Sequence, residues 1–263
     1  MAPGALRIIN APNLYWLSVR MNLCLLQLGD SALPIGGYSH SWGLEAAIDR
    51  RGVTDAASLE EWIRLWLRHA LGPCEGIVVA ATCRAARQHD WRIVQNANEL
   101  LWTSLAPPTL RHASRDLGEQ LLHLAELWPW AAESVFALHA CQSQGGATRQ
   151  GEGKKMQVSL SPCLEWHHAP VFATLAAAAG STPAEALAVY LHQAALGGIG
   201  AGVRAIPIGH SHGQQILARL HGEIEALAGE LAERDLETAG SFCPAYEVLC
   251  HAQSHLYTRL FRS

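Results

Sequence analysis

Histidine is the residue of this chain best suited to metal chemistry, and there are fourteen. His251 and His255 lie four apart on a predicted helix, a spacing that turns both rings to one side. His210 and His212 flank Ser211, and His167 adjoins His168. A neutral imidazole suits nickel or zinc, so His210, His212, His251 and His255 are the candidate metal ligands. No cluster supplies three ligands, and the 251–255 pair lacks the intervening glutamate of a HExxH site. The plainer role for these side chains is surface or hydrogen-bonded histidine. Nucleophilic and nucleotide chemistry are less well provided for. Gly37-Tyr38-Ser39-His40-Ser41 departs from the G-x-S-x-G elbow at its last residue, and no strand precedes it. Gly153-Lys154 is followed by lysine and has no glycine at the upstream position that a phosphate-binding loop needs. No catalytic residue is assigned.

What remains is recognition chemistry. Leu25 to Glu45 reads LLQLGDSALPIGGYSHSWGLE and cannot be a plain helix. Pro34 removes a backbone donor and biases Leu33 away from the α region. Gly36 and Gly37 permit backbone angles that other residues avoid. Gly36, Gly37, Tyr38, Ser39 and His40 therefore sit where the chain bends, with Trp42 just beyond, and bends often display recognition groups. The VRAIPIGHSHGQ stretch, with Arg204, and the tail FCPAYEVLCHAQSHLYTRLFRS, with Arg259, have the same composition of aromatics and arginines beside loosened backbone. Glycines at 197, 198, 200 and 202 also serve close helix crossing. Of nine tryptophans, Trp62, Trp66, Trp102, Trp128 and Trp130 read as core.

The elements that must carry these groups are helical. Ser58 and Glu61 form a capping box ahead of Leu59, Trp62, Ile63, Trp66, Leu67, Ala70 and Leu71 at spacings of three and four. Gly72-Pro73 is expected to stop that helix. Further helices are predicted over 74–87, 91–105, 111–127 and 130–140. Thr182 at N-cap, Pro183 at N1 and Glu185 at N3 make the clearest start signal. Leu217, Leu220, Ile224, Leu227 and Leu231 give 214–231 an amphipathic face, and its glutamates form a solvated one. Runs of β-branched residues at period two are absent, and Ala and Leu dominate. The fold class is all-α: a compact single-domain bundle of about nine or ten helices. Residues 1–20 read as a disordered extension, 142–160 as a mobile polar loop, and 240–263 as a tail.

Composition bounds the rest. Only 16% of residues are charged, against about 25% in a typical soluble domain, which points to an exterior partly covered by partners. A net charge of −4 offers no basic footprint for nucleic acid. Seven cysteines without a CxxC pair fit reduced thiols in a cytoplasmic protein. No run reaches about 18 consecutive apolar residues, so no membrane span is expected. The first twenty residues lack the apolar run and cleavage pattern of a signal peptide.

The opening segment resembles the LPxGGxSxSxGLE start of the UreF family of urease accessory proteins. AVYLHQAALGGIGAGVRAIPIGHSHGQQIL and GSFCPAYEVLCHAQSHLYTRLFRS are similar to two further blocks of that family, in the same order and spacing. The resemblance covers nearly everything after Met21, a candidate natural start. It implies an all-α, non-enzymatic protein that forms a homodimer and binds UreD (UreH in some species), the nickel-carrying GTPase UreG and urease apoprotein. It implies recruitment of UreG, tuning of its GTP hydrolysis, and nickel insertion during maturation of the urease site. No cofactor is then bound by the protein itself, nickel being handled by the complex. Gly36, Gly37, Tyr38, Ser39, His40 and Arg204 match positions in blocks given to partner contact. Arg259 matches the arginine of a tail that orders and docks when UreD binds. His210 and His212 stand where the family carries Gln and Asp, which keeps a histidine-based nickel carrier as the alternative. An unrecognised helical hydrolase is the other.

Overall fold

The computed structural model describes residues 22–145 and 165–263. All regular structure among them is helical, in eleven α-helical segments joined by short turns. The expected extension and most of the expected 142–160 loop lie outside the described residues. α1 (Leu23–Leu28) and α2 (Leu44–Asp49) flank the irregular opening segment. α3 (Ala56–Trp66), a π-helical stretch Leu67–Gly76 and α4 (Ile77–Arg87) form one continuous rod. α5 (Trp91–Ser104), α6 (Pro108–Ala125) and α7 (Ala132–Gly145) follow. α8 (His168–Ala178), α9 (Pro183–Ala205), α10 (His210–Leu231) and α11 (Pro244–Gln253) complete the bundle.

Two expectations about the rod are corrected. Asp55, not Ser58, is the N-cap of α3: its carboxylate accepts from the Ser58 N–H at 2.9 Å, with Ser58 at N3. Pro73 does not stop the helix. The wider π turn accommodates a residue that has no N–H to donate and a ring that would clash with the ordinary α ladder. Gly72 is needed there, since a Cβ would stand 2.6 Å from the Leu67 carbonyl oxygen and near Leu227 and Leu231 of α10. Helix α7 likewise runs five residues past the expected Ala140 end, to Gly145.

The centre of the bundle is α8, whose residues Ala169 to Ala176 are all buried. It packs between α4 and α6. The extended residues 165–167 before it have no strand partner, so side chains satisfy their backbone. The Trp166 N–H donates to Glu119 at 2.6 Å, and Asn98 accepts from the His167 N–H and donates to the Glu165 carbonyl. Gly118 lets α6 approach this segment: a Cβ would strike the Trp166 carbonyl oxygen.

Helix α9 starts as the sequence predicts, with Thr182 and Glu185 in a reciprocal capping box. It continues unbroken through the glycines. Gly198 and Gly202 face Ile63 and Leu59 of α3, while a Cβ on Gly197 or Gly200 would meet nothing within 4 Å. By length and mean hydropathy (1.3) α9 matches a membrane span, but half of that window is buried in the bundle against α3, α4 and α10. Trp66 and Trp128 are core residues and Trp62 and Trp130 pack against the core. Trp102, expected inside, is exposed, with Arg111 and Arg115 over its ring.

Candidate functional site

The opening segment, the end of α9 and the last ten residues are far apart in sequence and meet in space. The opening segment bends because Gly36 (φ 88°) and Gly43 (φ 83°) adopt left-handed backbone. Gly43 could carry no side chain in any case, as a Cβ would stand 2.8 Å from Cys250 Sγ on α11. Trp42, between them in the chain, also has positive φ, at 55°. A bulky residue holds that conformation only where its surroundings over-determine it. Here the determinant is the tail: the N–H groups of Ser41 and Trp42 both donate to the Ser263 main-chain oxygen, at 2.5 and 3.1 Å.

The tail is seated along a row of such bonds. Arg262 N–H donates to the Ser39 carbonyl at 2.8 Å. Leu260 and Phe261 N–H donate to the two carboxyl oxygens of Glu45, at 2.5 and 3.3 Å. Gln253, at the end of α11, donates to Ser41 Oγ at 2.8 Å. His40 Nδ1 lies 2.6 Å from Ser263 Oγ. Phe261 is 4% exposed and belongs to the core cluster. A tail mobile until a partner arrives was expected; in this structure it is already docked on the protein's own body. The cause is visible: Glu45 and Ser41 supply the hydrogen-bond partners that an extended tail backbone needs.

Arg204 closes the patch. Its guanidinium carbon lies 3.6 Å from the centre of the Tyr38 ring and 4.6 Å from that of Phe261, a cation held by two aromatics. Its Nε donates to the Gly200 carbonyl at 3.0 Å, which fixes the side chain along α9. Tyr38 remains 74% exposed. The adjoining tail exposes Tyr257, Arg259 and Leu260. An exposed aromatic–arginine patch of this kind has the composition of an interaction hot spot.

The predicted residues thus separate. Gly36, Gly37, Tyr38, Ser39 and Arg204 share the patch, and Arg259 stands on the tail beside it. His40 is a correction: it is 4% exposed, and its pKa is lowered to about 4 by burial and then by Arg262, so it anchors the tail as a neutral ring. His210 and His212 are exposed on the first turn of α10, where His212 Nδ1 accepts weakly from Gly209 N–H at 3.4 Å. His251 is on α11, but the helix ends at Gln253, so His255 lies beyond it and the expected one-face pair does not form. Among the described residues no three His, Cys, Asp or Glu side chains come together as metal ligands. Sequence reasoning missed Glu45, Ser41, Gln253 and Phe261. Glu45 closes the opening motif, and a carboxyl on a short apolar helix was the one available signal.

The UreF family model matches residues 53–221. The urease accessory protein UreF of Cupriavidus metallidurans is 32% identical over 92% of this chain and 97% of its own length. That of Delftia acidovorans is 31% identical, over 94% and 99%. That of Polynucleobacter asymbioticus is 29% identical, over 94% and 100%.

Proposed function

This chain belongs to the UreF family of urease accessory proteins, and on that footing we propose that it is a cytoplasmic assembly platform for urease maturation. It dimerises, binds UreD (UreH) and the GTPase UreG, brings them to urease apoprotein, and tunes GTP hydrolysis so that nickel, the cargo, enters the urease site. The observation that carries this reading is the convergence of the opening segment, Arg204 and the tail into one aromatic–arginine patch. A two-fold dimer would present that patch twice, once for each copy of a partner. Tyr38 and Arg259 offer large contact area and charge at the centre and edge of it. Because the tail contributes Phe261 to the Arg204 sandwich, a partner that grips the tail also restrains Arg204 and Tyr38. One partner's arrival would in this way favour the next.

The test is co-expression with UreD, UreG and urease, followed by affinity capture and size exclusion. Arg259→Ala should lose UreD, and Tyr38→Ala should lose UreG, by at least tenfold in recovery, with helicity and thermal midpoint unchanged. Both side chains are exposed, so folding is not at issue. Full recovery of both partners by both variants would refute the platform reading.

A further inference from the structure

Beneath the patch lies a cavity of about 290 Å³ between the opening segment and α9. Most of its wall is apolar or aromatic: Leu33, Ile35, Trp42, Trp66, Leu71 and the bare backbone at Gly197 and Gly200. Polar groups interrupt that wall, Glu75, His168, Tyr190 and Gln193 among them. Glu75 is in the π-helical stretch, and one of its carboxyl oxygens accepts from Tyr190 OH at 3.2 Å. His168, at the start of α8, packs on the Tyr190 ring at 5.5 Å between centroids. Its Nε2 is buried and has no hydrogen-bond partner.

Glu75, half-buried where it lines the cavity, pairs with no cation among the described residues. Burial pushes it up to about 7, and only the Tyr190 hydroxyl works against that rise. A buried ionised carboxylate needs a partner charge, and none of the cavity residues near it supplies one. The cation in the wall, Arg204, is committed to the mouth by Gly200, Tyr38 and Phe261. Asp30, also in the lining, adds negative character. Aromatic faces around a carboxylate attract organic cations, through the ring quadrupoles as well as the opposite charge. Burial of methylenes along an apolar wall adds about 0.8 kcal/mol for each CH₂. Glu75 and His168 alone make too few ligands for a metal ion.

We propose that this cavity binds an ammonium or guanidinium group on an apolar stem, with the charge held by Glu75 among Tyr190, Trp42 and Trp66 and the stem along Leu33, Ile35 and Leu71. His168 Nε2, as an acceptor, takes one of the ligand's N–H groups. The opening beside Tyr38 and Gly37 gives the ligand its way in.

The test titrates the purified full chain with n-butylammonium and with its neutral counterpart 1-butanol, following saturation-transfer NMR at pH 8. The wild type should bind the cation at least tenfold more tightly than the alcohol. In Glu75→Gln, which keeps an acceptor for Tyr190, that preference should collapse to within about twofold, since tenfold corresponds to only about 1.4 kcal/mol of lost charge pairing. Gly197→Leu, which adds a bulky side chain to the cavity wall where a Cβ meets nothing within 4 Å, should lose both ligands. Equal binding of cation and alcohol, a preference that survives in Glu75→Gln, or absence of saturable binding would each overturn the proposal. With the site confirmed, adding n-butylammonium to a preformed partner complex tells the source. Release of partner identifies a basic side chain as the natural cation, and retention identifies a free amine or guanidine.

Discussion

Replacing Glu45 by alanine should free the tail without unfolding the bundle. Glu45 is 8% exposed and receives the N–H groups of Leu260 and Phe261 at 2.5 and 3.3 Å. A hydrogen bond to a charged group contributes about 1.5–3 kcal/mol, and a buried donor left without a partner loses its solvation as well. The 3.3 Å bond is long, so about 3 kcal/mol for the pair is a working figure. That energy is local. The released amides regain water by letting residues 260–263 lift away, so the loss appears as opening of the tail, not as collapse of the core. At about 1.4 kcal/mol per decade, 3 kcal/mol raises the open population by on the order of 10².

Hydrogen exchange resolved to single amides reads this directly. Protection at Leu260, Phe261 and Arg262 should fall by about 10²-fold in Glu45→Ala. Ser41 and Trp42 should lose protection with them, because they donate to Ser263. Amides of α4 and α8 in the centre of the bundle should exchange as in the wild type. Trypsin should then cut after Arg259 and Arg262 early in a time course. Unchanged exchange at Leu260 and Phe261, or an equal rise in every helix, would refute Glu45 as the tail's anchor.

Gly118→Ala should be among the most damaging single methyl additions, because its Cβ meets backbone, the Trp166 oxygen and the His167 carbonyl carbon at 2.6 Å, which cannot swing aside; overpacking of about 1–3 kcal/mol or more should appear as a clear fall in the urea midpoint, and an unchanged midpoint would refute the close approach. Acid should destabilise the fold well above the carboxylate range. His40, His167 and His168 are each held down to about 4 by burial, so between about 6.5 and 4 the unfolded chain binds protons that the folded chain refuses. Glu75, pushed up to about 7, works the other way and offsets one of those three protons, leaving about two taken up on unfolding, or roughly 2–3 kcal/mol per pH unit. A urea midpoint that stays level from pH 7 to pH 5 would contradict the buried, neutral histidines.

Features governed by neighbours in sequence were legible before the structure. The Thr182–Pro183–Glu185 start of α9 and the apolar face of α10 depend on spacings of three and four residues, which a sequence states openly. Pro73 was misread because its usual meaning holds for an α-helix, and a π stretch is not marked by any residue period. Glu75 falls at the start of the helix predicted over 74–87, and nothing in that spacing shows the cavity that the continuing rod lets it line. His40 was misjudged for a different reason. Its burial depends on Ser263, more than two hundred positions away, and no local pattern encodes such a contact.

The patch and the cavity share walls, and this ties the proposed activities together. Tyr38, Gly200 and Arg204 belong to both. Tail release removes Phe261 from one side of the Arg204 guanidinium, leaving Tyr38 and the Gly200 carbonyl as its restraints. Arg204 is then freer to swing toward Glu75, the uncompensated carboxyl of the same cavity, where it would compete with any incoming cation. A docked tail therefore keeps the cavity open to a ligand, and a released tail favours its closure by the protein's own arginine. Glu45→Ala should accordingly weaken n-butylammonium binding although Glu45 does not line the cavity, and adding Arg204→Ala should restore it. Equal affinity in Glu45→Ala and wild type would show that the two sites share walls without sharing energy.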